Sequence, residues 1–138
     1  MRKNVILIGI AMAALLLAGC GSAKEQTAEG ESKAGEYYQI SQEEAAAMMS
    51  EESGYVIVDV RTEEEYNEGH IPGAICIPNE SIGSEQPAEL PDLKQVILVY
   101  CRSGNRSKQA AKKLSKIGYT NIYEFGGINS WTGDVVKN

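Results

Sequence analysis

Cysteine is scarce in this chain: three in 138 residues, with no two in C-x-x-C spacing. The scarcity excludes a disulfide scaffold, and the spacing excludes a zinc ribbon and a thioredoxin-type redox pair. Histidine occurs once, at His70, which leaves one candidate for a Cys–His pair. Basic side chains are outnumbered, thirteen against nineteen acidic, for a formal charge of −6. There is no basic stripe, and an acidic chain of this kind argues against a nucleic-acid partner. No apolar run reaches the ~20 residues of a spanning helix. What remains is an apolar content of 43% and a length suited to one domain.

The N-terminus has a logic of its own. Arg2 and Lys3 precede Val5–Ala18, fourteen uncharged and mostly apolar residues, which is the length of a signal-peptide core. Leu17-Ala18-Gly19-Cys20 follows and resembles the lipobox of bacterial lipoproteins, in which the cysteine becomes the lipidated first residue. The resemblance implies a signal peptide over 1–20, lipid on Cys20, and an extracytoplasmic protein anchored to the bacterial cell membrane. An ordinary secretory signal or an uncleaved anchor is the alternative. Two or more acyl chains hold a protein stably where one does not. Residues 21–36, GSAKEQTAEGESKAGE, contain no Val, Ile, Leu, Met, Phe, Tyr or Trp, so they cannot offset their chain entropy by burial. They read as a flexible polar tether, and 37–138 as the folded domain.

In 37–138, strand and helix signals alternate. Tyr37–Ile40 is a strand candidate. Ser41 and Glu44 form a capping box before a helix over 42–50, and Thr62 and Glu65 form another before a short helix that Gly69 ends. Tyr55–Val60 is a β-branched run suited to burial on both faces. Ala74–Ile77 is a third strand, and 78–94, with Pro78, Pro87 and Pro91, a long loop. Val96–Tyr100 is the strongest strand. Ser107–Ile117 predicts a helix with Ala110, Ala111, Leu114 and Ile117 on its apolar face, lysines on the wet one, and Gly118 at its stop. Asn121–Phe125 is a last strand, with a short helical segment near Trp131. The alternation predicts an α/β fold: a mostly parallel five-stranded sheet with helices on both faces. Ligands in such sheets bind beyond the carboxyl ends of the strands.

That rule singles out Cys101-Arg102-Ser103-Gly104-Asn105-Arg106, between the strongest strand and the helix. Unpartnered N–H groups at a helix start, with the helix dipole, favour an anion and lower a thiol pKa from its usual ~8.5. Arg102 and Arg106 add permanent positive charge and would attract an anionic substrate. Cys101 is therefore the candidate nucleophile. A buried structural cysteine before a polar turn is the plainer alternative.

Here the sequence resembles the rhodanese family of single-domain sulfurtransferases. The likeness covers about 37–138. It is carried by Val58-Asp59-Val60-Arg61, Glu65-Tyr66, Glu68-Gly69-His70-Ile71-Pro72-Gly73-Ala74, Cys101 to Arg106, and Gly126-Gly127-Ile128 with Trp131. It implies a rhodanese-like fold and transfer of a sulfane sulfur through a persulfide on Cys101, with Arg102, Ser103, Gly104, Asn105 and Arg106 as the substrate loop. Substrates would be a small anionic sulfur donor, such as thiosulfate, and a thiophilic acceptor; no metal and no cofactor is needed. The related dual-specificity phosphatases have a C-x5-R loop, whereas Cys101 to Arg106 is C-x4-R. The tighter ring favours sulfur transfer over a phosphatase or arsenate-reductase chemistry. A persulfide relay or anion-binding module with little turnover is the rival of another class.

Asp59, Arg61 and His70 read as structural support, the last inside the turn motif rather than as a general base. Cys76 reads as core packing. Whether Cys76 and Cys101 can form a disulfide stays open, because thiols outside the cytoplasm can oxidise. Trp131 reads as a packing anchor, and Glu43, Glu44, Glu63 and Glu64 as solvated helix starts.

Overall fold

Val96–Cys101 is the centre of the molecule because its side chains are apolar on both sides: Ile97 and Val99 face one way, Leu98 and Tyr100 the other, and all are buried. A computed structural model describes residues 36–138. The readings placed on 1–20, Cys20 included, and on the tether up to residue 35 lie outside the described residues.

The strands are β1 (Tyr38–Gln39), β2 (Tyr55–Asp59), β3 (Ile75–Cys76), β4 (Val96–Cys101) and β5 (Ile122–Gly127). They form one sheet in the order β1-β5-β4-β2-β3, with every pairing parallel. The sheet is thus fully parallel, and the two best-buried strands, β4 and β5, are neighbours. Between them lie helices α1 (Gln42–Glu51), α2 (Glu63–Glu68) and α3 (Asn105–Ile117). Both expected capping boxes are present: Ser41 and Thr62 accept from the N–H groups of Glu44 and Glu65, whose carboxylates return the bond.

Each face of the sheet has its own core. Ala110, Ala111 and Leu114 of α3 pack with Val58, Val60, Val99 and Cys101 on one. Ala45 of α1 packs with Ile57, Leu98, Tyr100 and Phe125 on the other, where Tyr66 of α2 also lies. Burying these side chains is the main stabilising contribution, about 25 cal/mol per Å² of apolar surface. Segment 78–94 is the expected loop with one 3-10 turn, Asn79–Ser81, and it supplies Ile82 and Leu90 to the α3 core.

Several boundaries differ from the sequence reading. β3 is two residues rather than four, and β5 runs on to Gly127. α3 begins at Asn105, not Ser107. Gly104 takes the cap position at φ 107, a left-handed conformation that glycine adopts without strain, and with no side chain it gives no capping signal. Asn105 and Arg106 therefore sit in the first helical turn, and the connecting loop is only Arg102–Gly104. Lys113, expected on the wet face, is half-buried and donates to the Asn79 carbonyl at 2.8 Å.

Candidate active site

Cys101 ends β4, and its neighbour Tyr100 points to the opposite face of the sheet. The chain then turns over the sulfur. The Gly104 N–H donates to Sγ at 3.0 Å, and the Ser107 hydroxyl lies 3.4 Å from it. Burial pushes the Cys101 thiol up. The Ser107 side chain and the backbone N–H groups of Ser107, Gly104 and Ser103 outweigh that, so the thiol lies below its ordinary value. Cys101 is 1% exposed.

The turn depends on a close approach from β5. Cys101 pairs with Gly127 after a bulge between Val99 and Cys101. A Cβ on Gly127 would stand 2.1 Å from the Arg102 carbonyl oxygen, so only glycine fits beneath the loop. The Asn129 N–H donates to that same carbonyl at 3.2 Å.

The two arginines differ. Arg102 is exposed and borders an open cleft of about 320 Å³, shared with Arg61, Glu65, Glu68, Ile128 and Asn129. Arg106 is held by Glu65 in a two-bonded ion pair at 2.7 and 3.1 Å. The hydrogen bond from Arg106 brings the Glu65 carboxyl down to about 2, against the opposing effect of burial. Two free positive charges beside the sulfur was therefore too simple a picture. Arg106 is paired, and hydrogen bonds lead the stabilisation of the thiolate. Ser103 and Asn105 are exposed, and Gly104 is buried under the turn.

Asp59 and Arg61 form a buried knot below this site. Arg61 donates to the Asp59 carboxylate through Nε at 3.0 Å and Nη2 at 2.7 Å. The Tyr100 hydroxyl donates to Asp59 at 2.9 Å, and Arg61 also reaches the Gly69 carbonyl at 2.6 Å. The knot joins β2, β4 and the end of α2. His70 stacks on Tyr66, with ring centroids 3.8 Å apart, and its Nδ1 lies 2.8 Å from the Tyr66 carbonyl. Its backbone pairs with Val136.

Cys76 faces away from Cys101. It pairs with Asp59, which pairs in turn with Tyr100. Two strand spacings thus separate the cysteines, about 10 Å between Cα atoms, beyond the ~7 Å limit for a disulfide. Burial and the nearby Asp59 charge push the Cys76 thiol up to about 11.

Sequence reasoning missed two contributors. The sequence reading takes Ser107 only as a helix start and Glu124 only as a member of the last strand. Glu124 sits in β5, 3% exposed, with Oε1 accepting from the Ser107 hydroxyl at 2.6 Å and the Gly126 N–H at 2.8 Å. A lone acid between Tyr123 and Phe125 in an otherwise apolar strand was the available signal.

Comparison with known proteins matches residues 41–134 to the Rhodanese-like domain family. The chain is 38% identical over 80 residues to the thiosulfate sulfurtransferase PspE of Escherichia coli K12, covering 58% of this chain and 77% of that protein. It is 38% identical over 97 residues to the thiosulfate sulfurtransferase GlpE of Pseudomonas entomophila, covering 70% and 85%. The solved rhodanese-like domain of an Anabaena protein superposes with a TM-score of 0.67 at 25% identity, covering 75% of this chain and 81% of that one.

Proposed function

Because the chain belongs to the rhodanese family and is a rhodanese-type sulfurtransferase, we propose that it moves a sulfane sulfur from a thiosulfate-like donor to a thiophilic acceptor through a persulfide on Cys101. The observation that carries this reading is the Gly104 N–H on Cys101 Sγ at 3.0 Å, in a turn that stabilises the thiolate. Two relatives bearing the name thiosulfate sulfurtransferase support the choice of donor.

The chemistry follows from the arrangement. The Cys101 thiolate attacks the outer sulfur of the donor. A sulfur–sulfur bond forms to Cys101, and the donor's own S–S bond breaks, its electron pair leaving with sulfite. Arg102 is the exposed cation at the mouth of the turn and draws in the anionic donor. An acceptor thiolate or cyanide then attacks the outer sulfur of the persulfide, and Cys101 departs as thiolate. This is covalent catalysis in two half-reactions. Asp59, Arg61 and His70 hold the surrounding backbone.

The reading includes a location: outside the cytoplasm, on a lipid tether through Cys20. Its support is the charged start, apolar run and small-residue–cysteine junction of residues 2–20. Fatty-acid labelling of the full chain in bacterial cells, lost in Cys20→Ala, tests it. Retention of the label in that variant would remove the lipid from Cys20.

Mass spectrometry after thiosulfate tests the chemistry. A mass increase of one sulfur atom on Cys101, removed by cyanide and absent in Cys101→Ser, is the expected result. No adduct with any sulfane donor, alongside tight anion binding, would make this a binding module. Hydrolysis of aryl phosphates without persulfide formation would make it a phosphatase.

A further inference from the structure

The cleft beside the Cys101 turn is lined by four charged side chains: Arg61, Glu65, Glu68 and Arg102. Two of them are satisfied within the fold. Arg61 is buried against Asp59, and Glu65 is held by Arg106. The other two, Arg102 and Glu68, are exposed, opposite in sign, and joined to no partner among the described residues. Arg102 opens the turn after β4, and Glu68 is the last residue of α2, so two different elements bring them to one space.

An unpaired cation and an unpaired carboxylate around one cleft select the charge of what enters it. A simple anion gains Arg102 but is repelled by Glu68, and a simple cation meets the reverse. A molecule carrying both charges satisfies both side chains. It also leaves the local balance unchanged, because Arg61, Arg102 and Arg106 already offset Asp59, Glu65 and Glu68.

The cleft is small and has an apolar wall. Its volume of about 320 Å³ suits a ligand of few heavy atoms. Ile128 and Val135 form the wall. Val135 is fixed there by its neighbour Val136, whose backbone bonds His70 in both directions at 2.8 Å. The nucleophile adjoins this space. Arg102 follows Cys101 directly, and Glu65 grips Arg106 in the first turn of the helix that starts over the sulfur.

We propose that this cleft is the acceptor subsite, and that it takes a zwitterionic thiol of the amino-acid class, with its carboxylate on Arg102 and its ammonium on Glu68. The inference deepens the proposed sulfur transfer and rests on a persulfide at Cys101. Free cysteine is the simplest such acceptor, its methylene lying against Ile128 and Val135. Its thiol loses a proton to solvent before the attack. The thiolate then bonds to the outer sulfur of the persulfide, which keeps its own proton. The bond from that sulfur to Cys101 breaks, and the electron pair stays on Cys101 Sγ. The products are the Cys101 thiolate and the acceptor's persulfide, so no oxidant or reductant is consumed.

The test compares four thiols in the second half-reaction. The full chain is loaded with sulfur from thiosulfate, freed of donor, and mixed with cysteine, cysteamine, mercaptopropionate or mercaptoethanol. Loss of the sulfur adduct is followed by mass spectrometry. Loading first keeps any role of Arg102 toward the donor out of the measurement. Comparing each thiol between wild type and variant cancels its intrinsic reactivity. Glu68→Gln should slow the two ammonium-bearing thiols about threefold or more relative to the other two. Arg102→Gln should do the same to the two carboxylate-bearing thiols. A measurement on wild type alone guards against misfolded variants and needs no persulfide. S-methylcysteine, which cannot accept sulfur, should slow alkylation of Cys101 by iodoacetamide, and methylthiopropionate, which lacks the ammonium, should do so less.

Equal factors for all four thiols in each variant, or no greater protection by S-methylcysteine than by methylthiopropionate, overturns the proposal while leaving the sulfur chemistry intact. If S-methylcysteine protects selectively but thiosulfate leaves no sulfur on Cys101, the zwitterion subsite stands and the proposed transfer fails.

Discussion

Arg106 and Glu65 join the first turn of α3 to the first turn of α2 through two hydrogen bonds, 2.7 and 3.1 Å long. Glu65 also closes the α2 capping box on Thr62, at 3.0 Å. One carboxylate thus ties the helix after β2 to the turn over Cys101.

That double role has a pH signature. The folded Glu65 carboxyl is held at about 2 against an ordinary 4.5, chiefly by Arg106. A depressed folded pKa contributes stability above the unfolded pKa and loses it as pH falls toward the folded one. Glu65→Gln keeps the capping geometry but loses the charge. It should cost about 1 kcal/mol at pH 7, discounted for a pair that is partly solvated. The deficit should close between pH 4.5 and about 2. Urea unfolding of wild type and variant at pH 7 and at the acid end checks this; an equal deficit at both ends would refute the assignment.

Gly127 leaves the Arg102 carbonyl no room for a side chain. Gly127→Ala should therefore displace the turn, costing about 2–4 kcal/mol through backbone overlap. Persulfide formation should fall at least about tenfold, because a misplaced Gly104 N–H no longer holds the thiolate. Thermal unfolding and the sulfur-adduct assay read the two effects separately. A variant of normal Tm and normal adduct yield would contradict the contact.

Much of this arrangement is local, and the local part was legible. Ser41 with Glu44 and Thr62 with Glu65 announce two helix starts over four residues each. Cys101 follows a continuous apolar run, so its place at a strand end could be read directly. The rest depends on residues far apart in the chain. Arg106 and Glu65 are 41 positions apart, and Ser107 and Glu124 are 17 apart. No periodicity encodes either pairing. The true start of α3 was hidden for another reason: its cap is a glycine, which marks a turn without marking the helix that follows.

The two described thiols are predicted to differ sharply. Cys101 lies below the ordinary cysteine value and Cys76 is raised to about 11. At pH 7 Cys76 then has about a hundredth or less of the thiolate of an ordinary cysteine with pKa ~8.5. A limiting amount of iodoacetamide should label Cys101 and leave Cys76 nearly untouched. Mild oxidation should not join them, since they lie on opposite faces of the sheet. Peptide mapping after each treatment checks both statements, and a Cys76–Cys101 disulfide in the folded protein would refute the register.

His70 is tied to Tyr66 by ring stacking and to Val136 by backbone bonds. His70→Asn should lower stability by about 1 kcal/mol through the lost stack. Persulfide formation should stay within about twofold of wild type. A folded variant that forms no persulfide would return His70 to the chemistry.

Asp59 is the group whose removal should cost the protein most. Its carboxylate takes bonds from Arg61 Nε and Nη2, from the Arg61 N–H at 2.9 Å and from the Tyr100 hydroxyl. Arg61 is itself 6% exposed. Asp59→Asn leaves that guanidinium buried beside a neutral amide, and breaking a buried pair from one side costs about 3–5 kcal/mol. Tyr100 loses its charged acceptor as well, while its hydroxyl still accepts from the Ile71 N–H. If the knot is a structural support and not part of the chemistry, the surviving folded fraction at low temperature should form persulfide at close to the wild-type rate. Urea unfolding gives the first quantity, and adduct formation per folded molecule gives the second. A stable variant with lost chemistry would assign Asp59 to the reaction; an unstable one with normal chemistry keeps it as the fastening between β2, β4 and α2.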